Sequence, residues 1–351
     1  MKLKLTAKKE IHNFCKPYII AEIGANHNGD VNLGKELIQQ AKDAGADCVK
    51  FQSWSSESIF SKKVYDDNYF LGDDYRNRKD FTLEAIVKAY SVSEEQLLEF
   101  KAFADQLGID CTSTPFSKKE VDFLVKELKT PFIKVASMDL NNYPFLEYIA
   151  QQNLPIVIST GLSNLDEIDK AIRTIEDAGN KQICILHCIS IYPPSDNQVN
   201  LRNISTLQQL YPYPIGFSDH TIGTSLPLAS VVLGACLIEK HYTLDKNMEG
   251  WDHKVSANYS ELTEICSQSK RICDALGSTR IMSQENQDKK DAFRRSLITT
   301  RDIKEGDVFT IQDIEFKRPG NGLSPGELKY VLGKTAKRAI EKDSIIYLED
   351  I

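Results

Sequence analysis

Short apolar runs rich in β-branched residues recur between residues 18 and 241 and predict buried β-strands. They are residues 18–23, 48–52, 110–113, 132–136, 156–160, 183–188, 215–218 and 237–241. Apolar residues at helical spacing predict amphipathic helices between several of these runs. Such segments are residues 34–44, 82–89, 93–107, 118–128 and 163–176, and Ser163 with Asp166 resembles a capping box at the start of the last one.

Eight strands that alternate with helices predict a (β/α)₈ TIM barrel over residues 1–276. An open doubly wound sheet has the same alternation, but the even spacing and the lack of a glycine-rich dinucleotide fingerprint after the first strand favour the barrel. Residues 277–292 are polar and predict a linker, and residues 293–351 predict a small β-rich domain with glycine and proline turns. The segment 53–83 is long for a βα loop, which favours a functional role.

The composition is typical of a soluble globular protein, with 351 residues, 41% hydrophobic and 26% charged. A net charge of −7 argues against a nucleic-acid-binding face. The N-terminus lacks the apolar region of a signal peptide, and no run has the length of a transmembrane helix, so no membrane partner is expected. The eight cysteines lie mostly in apolar segments, which predicts reduced core thiols and a cytoplasmic location.

Polar residues gather at the ends of the predicted strands. The first strand leads into Glu22, Asn26 and His27, and an unpaired polar group in an apolar setting costs roughly 2–7 kcal/mol. A capped strand explains one such ending. The other strands end alike, however, with Lys50 and Gln52, Thr114, Lys134 with Ser137 and Asp139, Ser159, Ser190 with Tyr192, Ser218 with His220, and Glu239 with His241. In a barrel these ends meet at one face, where active sites are built.

Two kinds of ligand fit these residues. His220 and His241 end adjacent strands and predict a divalent metal site, with Mn²⁺ first and Mg²⁺ or Co²⁺ as alternatives, to which Glu22 or Asp252 could add an oxygen. Lys50 and Lys134 predict an anion site for phosphate or carboxylate, assisted by the hydroxyls of Thr114, Ser137 and Ser159. Ion pairs with Glu22, Asp139 and Glu239 are a compatible alternative. A Schiff-base lysine is a third possibility, although two lysines flanked by hydroxyls favour an anion clamp.

The motifs AEIGANHNGD, VKFQ, STPFS, IKVAS, NNYP, ISTG, LHCISIYP, FSDHTIG, LGAC, EKHYTLDK and KRPGNG follow one another along the chain. Together they resemble the sialic acid synthase family over nearly the whole sequence, and the C-terminal part resembles the antifreeze-like (SAF) domain. The resemblance implies a transferase that condenses phosphoenolpyruvate (PEP) with an amino sugar to give a nine-carbon nonulosonic acid. It also implies a homodimer in which each SAF domain covers the barrel mouth of the partner.

The resemblance also implies a role for individual residues. It implies His220 and His241 as metal ligands, and Glu22, Lys50, Gln52, Tyr192 and Asp252 as catalytic residues. Around PEP it implies Lys50, Thr114, Lys134, Ser137, Ser159 and Ser218. Around the sugar we expect Asn26, Gln52, Asp139, Ser190, Tyr192, Asp252 and Arg318, the last of which reaches into the partner's site.

Three positions depart from the common family pattern, namely Asp139, Ser190 and Gly250–Trp251–Asp252. Trp251 is predicted to line the sugar pocket, with packing against the last barrel helix as the alternative. These departures leave N-acetylmannosamine and a 2,4-diacetamido-2,4,6-trideoxyhexose as candidate sugars, with sialic, legionaminic or pseudaminic acid as the product. A PEP synthase that acts on a sugar phosphate, and a binding protein that has lost catalysis, are the rival interpretations.

Overall fold

The computed structural model describes residues 1–67 and 82–351. The chain divides into two compact units, Met1–Gly277 and Ser278–Ile351. The centre of the long segment predicted after the second barrel strand, residues 68–81, lies outside the described residues.

The first unit is built on eight parallel strands. They are β3 (Tyr18–Gly24), β4 (Cys48–Gln52), β5 (Asp110–Thr114), β6 (Ile133–Val135), β7 (Ile156–Ser159), β8 (Ile183–Cys188), β9 (Ile215–Asp219) and β10 (Leu237–His241). Their order is β5-β4-β3-β10-β9-β8-β7-β6, and the two end strands meet where Thr112 Oγ1 of β5 lies 3.3 Å from Phe132 O before β6. The predicted TIM-like barrel is therefore confirmed, and the open doubly wound sheet is wrong.

Helices follow the strands as in a βα repeat. They are α1 (Val31–Asp43), α2 (Lys62–Asp67), α3 (Leu83–Tyr90), α4 (Glu94–Leu107), α5 (Lys118–Lys126), α6 (Tyr143–Ala150), α7 (Leu165–Asp177), α8 (Asp196–Val199), α9 (Asn203–Leu210), α10 (Ser225–Val232) and α11 (Tyr259–Leu276). Short 3₁₀ turns span Ser137–Asp139 and His253–Val255. In the described part of the chain, no helix is both apolar enough and long enough to cross a membrane.

The predicted cap of α7 is wrong by one residue. Asn164 Oδ1 accepts from Glu167 N at 3.1 Å, and the Glu167 side chain accepts from Asn164 N at 3.0 Å. Asparagine and serine cap helices about equally well. The longer glutamate three residues after Asn164 completes the reciprocal pair, whereas Ser163 has only Asp166 at that spacing.

Alternation along the strands separates two apolar layers. On β3, Ile19, Ala21 and Ile23 pack outward against the helices, whereas Tyr18 and Ile20 pack into the barrel interior. Successive side chains of a strand point to opposite faces, so Glu22 continues the inward row at the C-terminal end of the strand.

A small hairpin closes the N-terminal end of the barrel. Strands β1 (Leu3–Lys4) and β2 (Glu10–Ile11) pair antiparallel. Leu3, Leu5 and Ile11 pack with residues at the N-terminal ends of the barrel strands in one buried cluster. This end is apolar and filled, so the polar residues of the interior lie at the opposite, C-terminal end.

The second unit has its own apolar core. It contains α12 (Gln287–Phe293), β11 (Ser296–Thr299), β12 (Ile314–Lys317) and α13 (Leu328–Val331), with 3₁₀ turns at Ile311–Asp313, Pro325–Glu327 and Leu348–Asp350. Strands β11 and β12 pair antiparallel. Helix α12 begins within the segment predicted as a linker, after Asn286, whose side chain accepts from Lys289 N at 2.9 Å.

Candidate functional site

A cavity of about 520 Å³ opens at the C-terminal end of the barrel. Every barrel strand contributes to its lining, with Glu22, Lys50 and Gln52, Thr114, Lys134, Ser159, Cys188, Ser218, and Glu239 with His241 in strand order. Loops beyond the strands add Ser137, Ser190, Tyr192, His220, Trp251 and Asp252. The structure thus brings together thirteen of the predicted site residues, namely Glu22, Lys50, Gln52, Thr114, Lys134, Ser137, Ser159, Ser190, Tyr192, Ser218, His220, His241 and Asp252.

Two lysines and two glutamates form the charged floor of the cavity. Lys50 Nζ lies 2.6 Å from Glu22 Oε2 and 3.7 Å from Glu239 Oε2. Lys134 Nζ lies 3.7 Å from Glu239 Oε1. All four side chains are almost fully buried. The desolvation of an ion costs several kcal/mol unless opposite charge lies close by. The pairing of two cations with two anions therefore offsets the desolvation cost of the charged floor.

Burial and pairing shift the pKa values of the floor in different directions. Burial raises the pKa of Glu22 to about 7, although Lys50 opposes this change. Burial also raises the pKa of Glu239, but Lys134 and Lys50 outweigh it and hold that pKa below its usual value. The pKa of Lys134 is lowered by burial, whereas Glu22 and Glu239 overcome burial at Lys50 and raise its pKa. Lys50 is therefore a permanent cation at neutral pH.

Hydroxyl groups surround both ammonium groups. Lys50 Nζ donates to Thr114 Oγ1 at 2.9 Å, and Lys134 Nζ donates to Ser159 Oγ at 2.6 Å. Gly161, which follows β7, allows two further hydroxyls to approach. A Cβ at this position would lie 2.2 Å from Ser190 Oγ and 2.7 Å from Ser137 Oγ. Two cations ringed by neutral donors suit a ligand with two anionic groups.

A chain of hydrogen bonds fixes the amide of Gln52. The Trp54 indole donates to Gln52 Oε1 at 2.7 Å, and Gln52 Nε2 donates to Glu22 Oε1 at 2.9 Å. An indole N–H can only donate, so it determines which end of the amide faces Glu22. Both oxygens of Glu22 therefore face donors, one from Gln52 and one from Lys50.

The two predicted metal ligands lie side by side, with ring centroids of His220 and His241 5.5 Å apart. His220 Nδ1 lies 2.8 Å from Ile189 O, and because a carbonyl only accepts, Nδ1 carries a proton, which leaves Nε2 as the ring nitrogen available to a metal ion. His241 Nδ1 is buried without a hydrogen-bond partner, and Asp252 Oδ2 lies 3.8 Å away.

This donor set fits a divalent ion whose remaining ligands are oxygens from water or substrate. Burial, with the neighbouring cations, holds the pKa of His241 well below its usual range, so its imidazole is neutral, as a ligand must be. Within residues 1–67 and 82–351, no group of three or more His, Cys, Asp or Glu side chains forms a complete metal site. The ring of Tyr192 stacks on His220 at a centroid distance of 4.1 Å.

One side of the cavity is apolar. This apolar wall consists of Trp54, Ile59, Phe60, Val87, Phe116 and Trp251. The rings of Trp54 and Trp251 meet edge to face with centroids 5.7 Å apart. Trp251 thus lines the cavity, and its contact with a sugar stays a prediction.

Two predicted sugar residues of the first unit, Asn26 and Asp139, are not part of the lining. Asn26 is fully buried behind it, where its Nδ2 donates to Tyr242 O and Ser256 Oγ, each at 2.9 Å. Asp139 follows the lining residue Met138 and accepts from Asn142 Nδ2 at 3.3 Å instead. Arg318 belongs to the second unit. His27 also lies away from the cavity, because its ring packs against the stacked pair of Phe51 and Phe100, 6.0 Å from each ring centroid.

Several lining residues were not predicted as site residues from the sequence, among them Trp54, Phe60, Phe116, Met138 and Cys188. A signal existed for three of them. Cys188 lies two residues after inward-facing Leu186, and Trp54 and Phe116 lie two residues beyond Gln52 and Thr114, so the strand period of two continues past the strand ends. Phe60 lies in an irregular segment and Met138 in the 3₁₀ turn Ser137–Asp139, and neither segment has such a period.

Comparison with known proteins gives a consistent picture. The sequence matches the NeuB family over residues 37–281 and the SAF domain over residues 294–351. An uncharacterized protein of Methanocaldococcus jannaschii is 42% identical over 95% of this chain and 94% of its own length. The N,N'-diacetyllegionaminic acid synthase of Campylobacter jejuni is 40% identical over 94% of this chain and 99% of its own length.

More distant relatives are named for other acids. A pseudaminic acid synthase of Campylobacter jejuni is 33% identical, and the human N-acetylneuraminate-9-phosphate synthase is 34% identical. Among solved structures, the N-acetylneuraminic acid (sialic acid) synthetase of Leptospira borgpetersenii in complex with citrate aligns with a TM-score of 0.73 and 31% identity, over 83% of this chain and 95% of that chain. The resemblance to sialic acid synthases is thereby confirmed: the chain belongs to the NeuB family and carries a C-terminal SAF domain.

Proposed function

We propose that the chain is a nonulosonic acid synthase that condenses PEP with an open-chain N-acetylhexosamine-type aldose and water. The products are a nine-carbon 3-deoxy-2-keto acid and inorganic phosphate. The names of the relatives support a synthase of this class. The candidate aldoses are N-acetylmannosamine and a 2,4-diacetamido-2,4,6-trideoxyhexose.

The charged floor is the single observation that carries this proposal. PEP bears a carboxylate and a phosphate, and the floor offers two buried ammonium groups, Lys50 and Lys134, each bonded to a hydroxyl. Each lysine donates to a hydroxyl oxygen, and that hydroxyl can in turn donate its own proton to an incoming anion. Lys50 stays protonated beside Glu22, which favours an anion clamp over a Schiff base at that residue.

The reaction makes one carbon–carbon bond at C3 and replaces the bond from C2 to the phosphate oxygen with a bond from C2 to the oxygen of water. C3 of PEP attacks the aldehyde carbon, the aldehyde oxygen takes a proton, and positive charge develops at C2. Water then adds at C2 and gives up a proton, which balances the proton taken by the aldehyde oxygen. The bond from C2 to the phosphate oxygen breaks, phosphate leaves with the electron pair, and the new hydroxyl at C2 loses its proton to become the keto group. We assign Glu22 to the stabilisation of the charge at C2, because it is a buried carboxylate held beside Lys50 and Gln52.

The remaining lining residues have matching roles. His220 and His241 would hold a divalent ion, Mn²⁺ first and Mg²⁺ or Co²⁺ as alternatives, which supplies Lewis-acid polarisation of the aldehyde. Tyr192 covers His220 and, with Gln52, Ser190 and Asp252, faces the space left for the sugar. Ser137 and Ser218 complete the hydroxyl set around PEP.

Phosphate release tests the proposal directly. The full-length chain is mixed with PEP and each candidate aldose, with Mn²⁺ or with EDTA, and free phosphate is measured. We expect release with at least one unphosphorylated N-acetylated aldose in the presence of Mn²⁺. No release with any aldose, phosphorylated or not, would contradict the synthase function and leave a binding protein.

A second candidate is a PEP synthase that acts on a sugar phosphate. The similarity to the human N-acetylneuraminate-9-phosphate synthase favours it. In the part of the chain that the structure describes, however, Lys50 and Lys134 are the only lysines or arginines that line the cavity. Release of phosphate with N-acetylmannosamine 6-phosphate, and with no unphosphorylated aldose, would select this candidate.

We further propose that the enzyme acts as a homodimer in the cytoplasm. Arg318 would then reach the cavity of the partner from the SAF domain, as the resemblance implies. The eight free thiols suit a reducing compartment.

A further inference from the structure

The apolar wall is the face of a small apolar cluster that packs separately from the main core. Ala25, Trp54, Leu83 and Val87 form the buried centre of this cluster. Partly buried aromatic and aliphatic residues, including Ile59, Phe60, Val64, Phe116 and Trp251, pack around that centre. The cluster joins the segment after β4, helix α3 and the loop after β10 into one surface on one side of the cavity.

The wall is fixed in position by contacts between its rings. Trp54 is 6% exposed, and its indole is anchored to Gln52 by the 2.7 Å hydrogen bond. Trp251 lies against both Trp54 and Tyr90, with ring centroids 5.7 and 6.3 Å apart. Trp251, Ile59, Phe60 and Phe116 keep part of their surface open, and each lines the cavity.

Charge is distributed unevenly around the cavity. The lining lysines, Lys50 and Lys134, belong to the floor and are already opposed by Glu22 and Glu239. The apolar wall contains no ionisable side chain. A phosphate or hydroxyl packed against the ring faces and aliphatic groups of these six described side chains would lose water without a hydrogen bond from those surfaces, which is unfavourable.

We propose that the apolar wall selects an unphosphorylated aldose whose non-reacting end is apolar, with a methyl group at C6 and acetamido methyl groups against the rings. This inference rests on the proposed function, because it places the reacting end of the aldose over the charged floor. The wall then receives the remainder of the sugar. Among the candidate aldoses, this chemistry favours the 2,4-diacetamido-2,4,6-trideoxyhexose over N-acetylmannosamine.

Aldoses that differ only at C6 test the inference. Two series are used, one with an acetamido group at C2 and one with acetamido groups at C2 and C4, each with a methyl, hydroxymethyl or phosphorylated C6. kcat/KM for each aldose is measured by phosphate release at saturating PEP with Mn²⁺. We expect the methyl sugar to exceed the hydroxymethyl sugar by about tenfold or more, as for one group in an apolar pocket, and the phosphorylated sugar to be the poorest.

Variants distinguish an effect of the apolar wall on sugar preference from a general loss of activity. Phe60→Ser and Trp251→Ala are expected to bring the methyl-to-hydroxymethyl ratio toward one, because each removes apolar lining. The ratio cancels any effect that both sugars share, such as a disturbance of Asp252 next to Trp251. Val64→Ala is the matched control, since Val64 packs in the cluster but is not part of the lining, and it should keep the wild-type ratio.

The outcomes are distinct. A wild-type ratio near one, a preference for the phosphorylated sugar, or a ratio unchanged in both Phe60→Ser and Trp251→Ala overturns the inference while the synthase function stands. If the wild type releases no phosphate with any aldose, the proposed function and the inference are both overturned. If Trp251→Ala does not fold, Phe60→Ser decides alone.

Discussion

Glu22 and Lys50 form an ion pair of 2.6 Å in which the side chains are only 2% and 3% exposed. Removal of one partner from such a pair leaves a buried charge without compensation, which costs about 3–5 kcal/mol. We expect Lys50→Met to lower the free energy of unfolding by that amount, measured by urea with circular dichroism.

Two controls belong to this measurement. Lys63 and Asp67 form an exposed pair at 2.6 Å, so Lys63→Met should change the same free energy by less than about 1 kcal/mol. The double variant Glu22→Gln/Lys50→Met should recover part of the loss. A Lys50→Met protein as stable as the wild type would contradict the buried-pair interpretation.

His27 gives the fold a pH dependence of known sign. Burial lowers its pKa from 6.5 to about 4. Between these values the unfolded chain binds a proton that the folded chain does not, so the stabilisation is complete above pH 6.5 and is lost as the pH falls toward 4. From pH 7.5 to pH 5, the wild type should lose about 2 kcal/mol more unfolding free energy than His27→Gln. Parallel pH profiles of the two proteins would show that His27 titrates normally.

Asn26 should act on stability rather than on sugar binding. Asn26→Ala removes two buried hydrogen bonds and leaves Tyr242 O without this donor, so we expect a loss of about 1–3 kcal/mol in unfolding free energy. At a temperature where the variant is folded, KM for the aldose should stay within about twofold of the wild type. A large rise in KM for the aldose with unchanged stability would contradict this structural role and support sugar binding by Asn26.

The metal prediction has a readout apart from turnover. His220→Ala should abolish phosphate release and weaken Mn²⁺ binding in calorimetry by about tenfold or more, with an unchanged circular dichroism spectrum. His253→Ala changes another buried histidine, whose ring bonds to Thr243 and does not line the cavity. It should therefore keep Mn²⁺ affinity, if it folds. Full activity of His220→Ala would remove the metal assignment.

The dimer prediction can be tested by mixing inactive variants. Arg318→Ala and His220→Ala are each expected to be poorly active alone. Refolded as an equal mixture, they should recover about a quarter of wild-type activity, since half of the dimers are mixed and each mixed dimer holds one intact site. A mixture no more active than its components would indicate that Arg318 serves the cavity of its own chain or none.

Much of the fold could be predicted because the β-branched runs coincide with the strands. The inward row from Tyr18 through Ile20 to Glu22 follows from a period of two. The same period fails beyond Gly24, where φ is +54° and the chain turns. Asn26 and His27 therefore leave the cavity wall, although they follow Glu22 closely in sequence.

The apolar wall could be predicted only in part. Trp251 departs from the family pattern, which indicated a special role for it, and the period of two leads from Gln52 to Trp54. Phe60 lies in the irregular segment after β4, and its neighbours in space come from α3 and from the loop after β10. Such contacts join residues far apart in the chain, and a local pattern does not contain them.

The chain has two tryptophans, Trp54 and Trp251, and both line the cavity with their rings in contact. Intrinsic fluorescence excited at the indole band therefore originates wholly from the surface that an aldose would touch. The protein carries its own optical probe of occupancy, and sugars can be ranked by titration with no label, no PEP and no turnover.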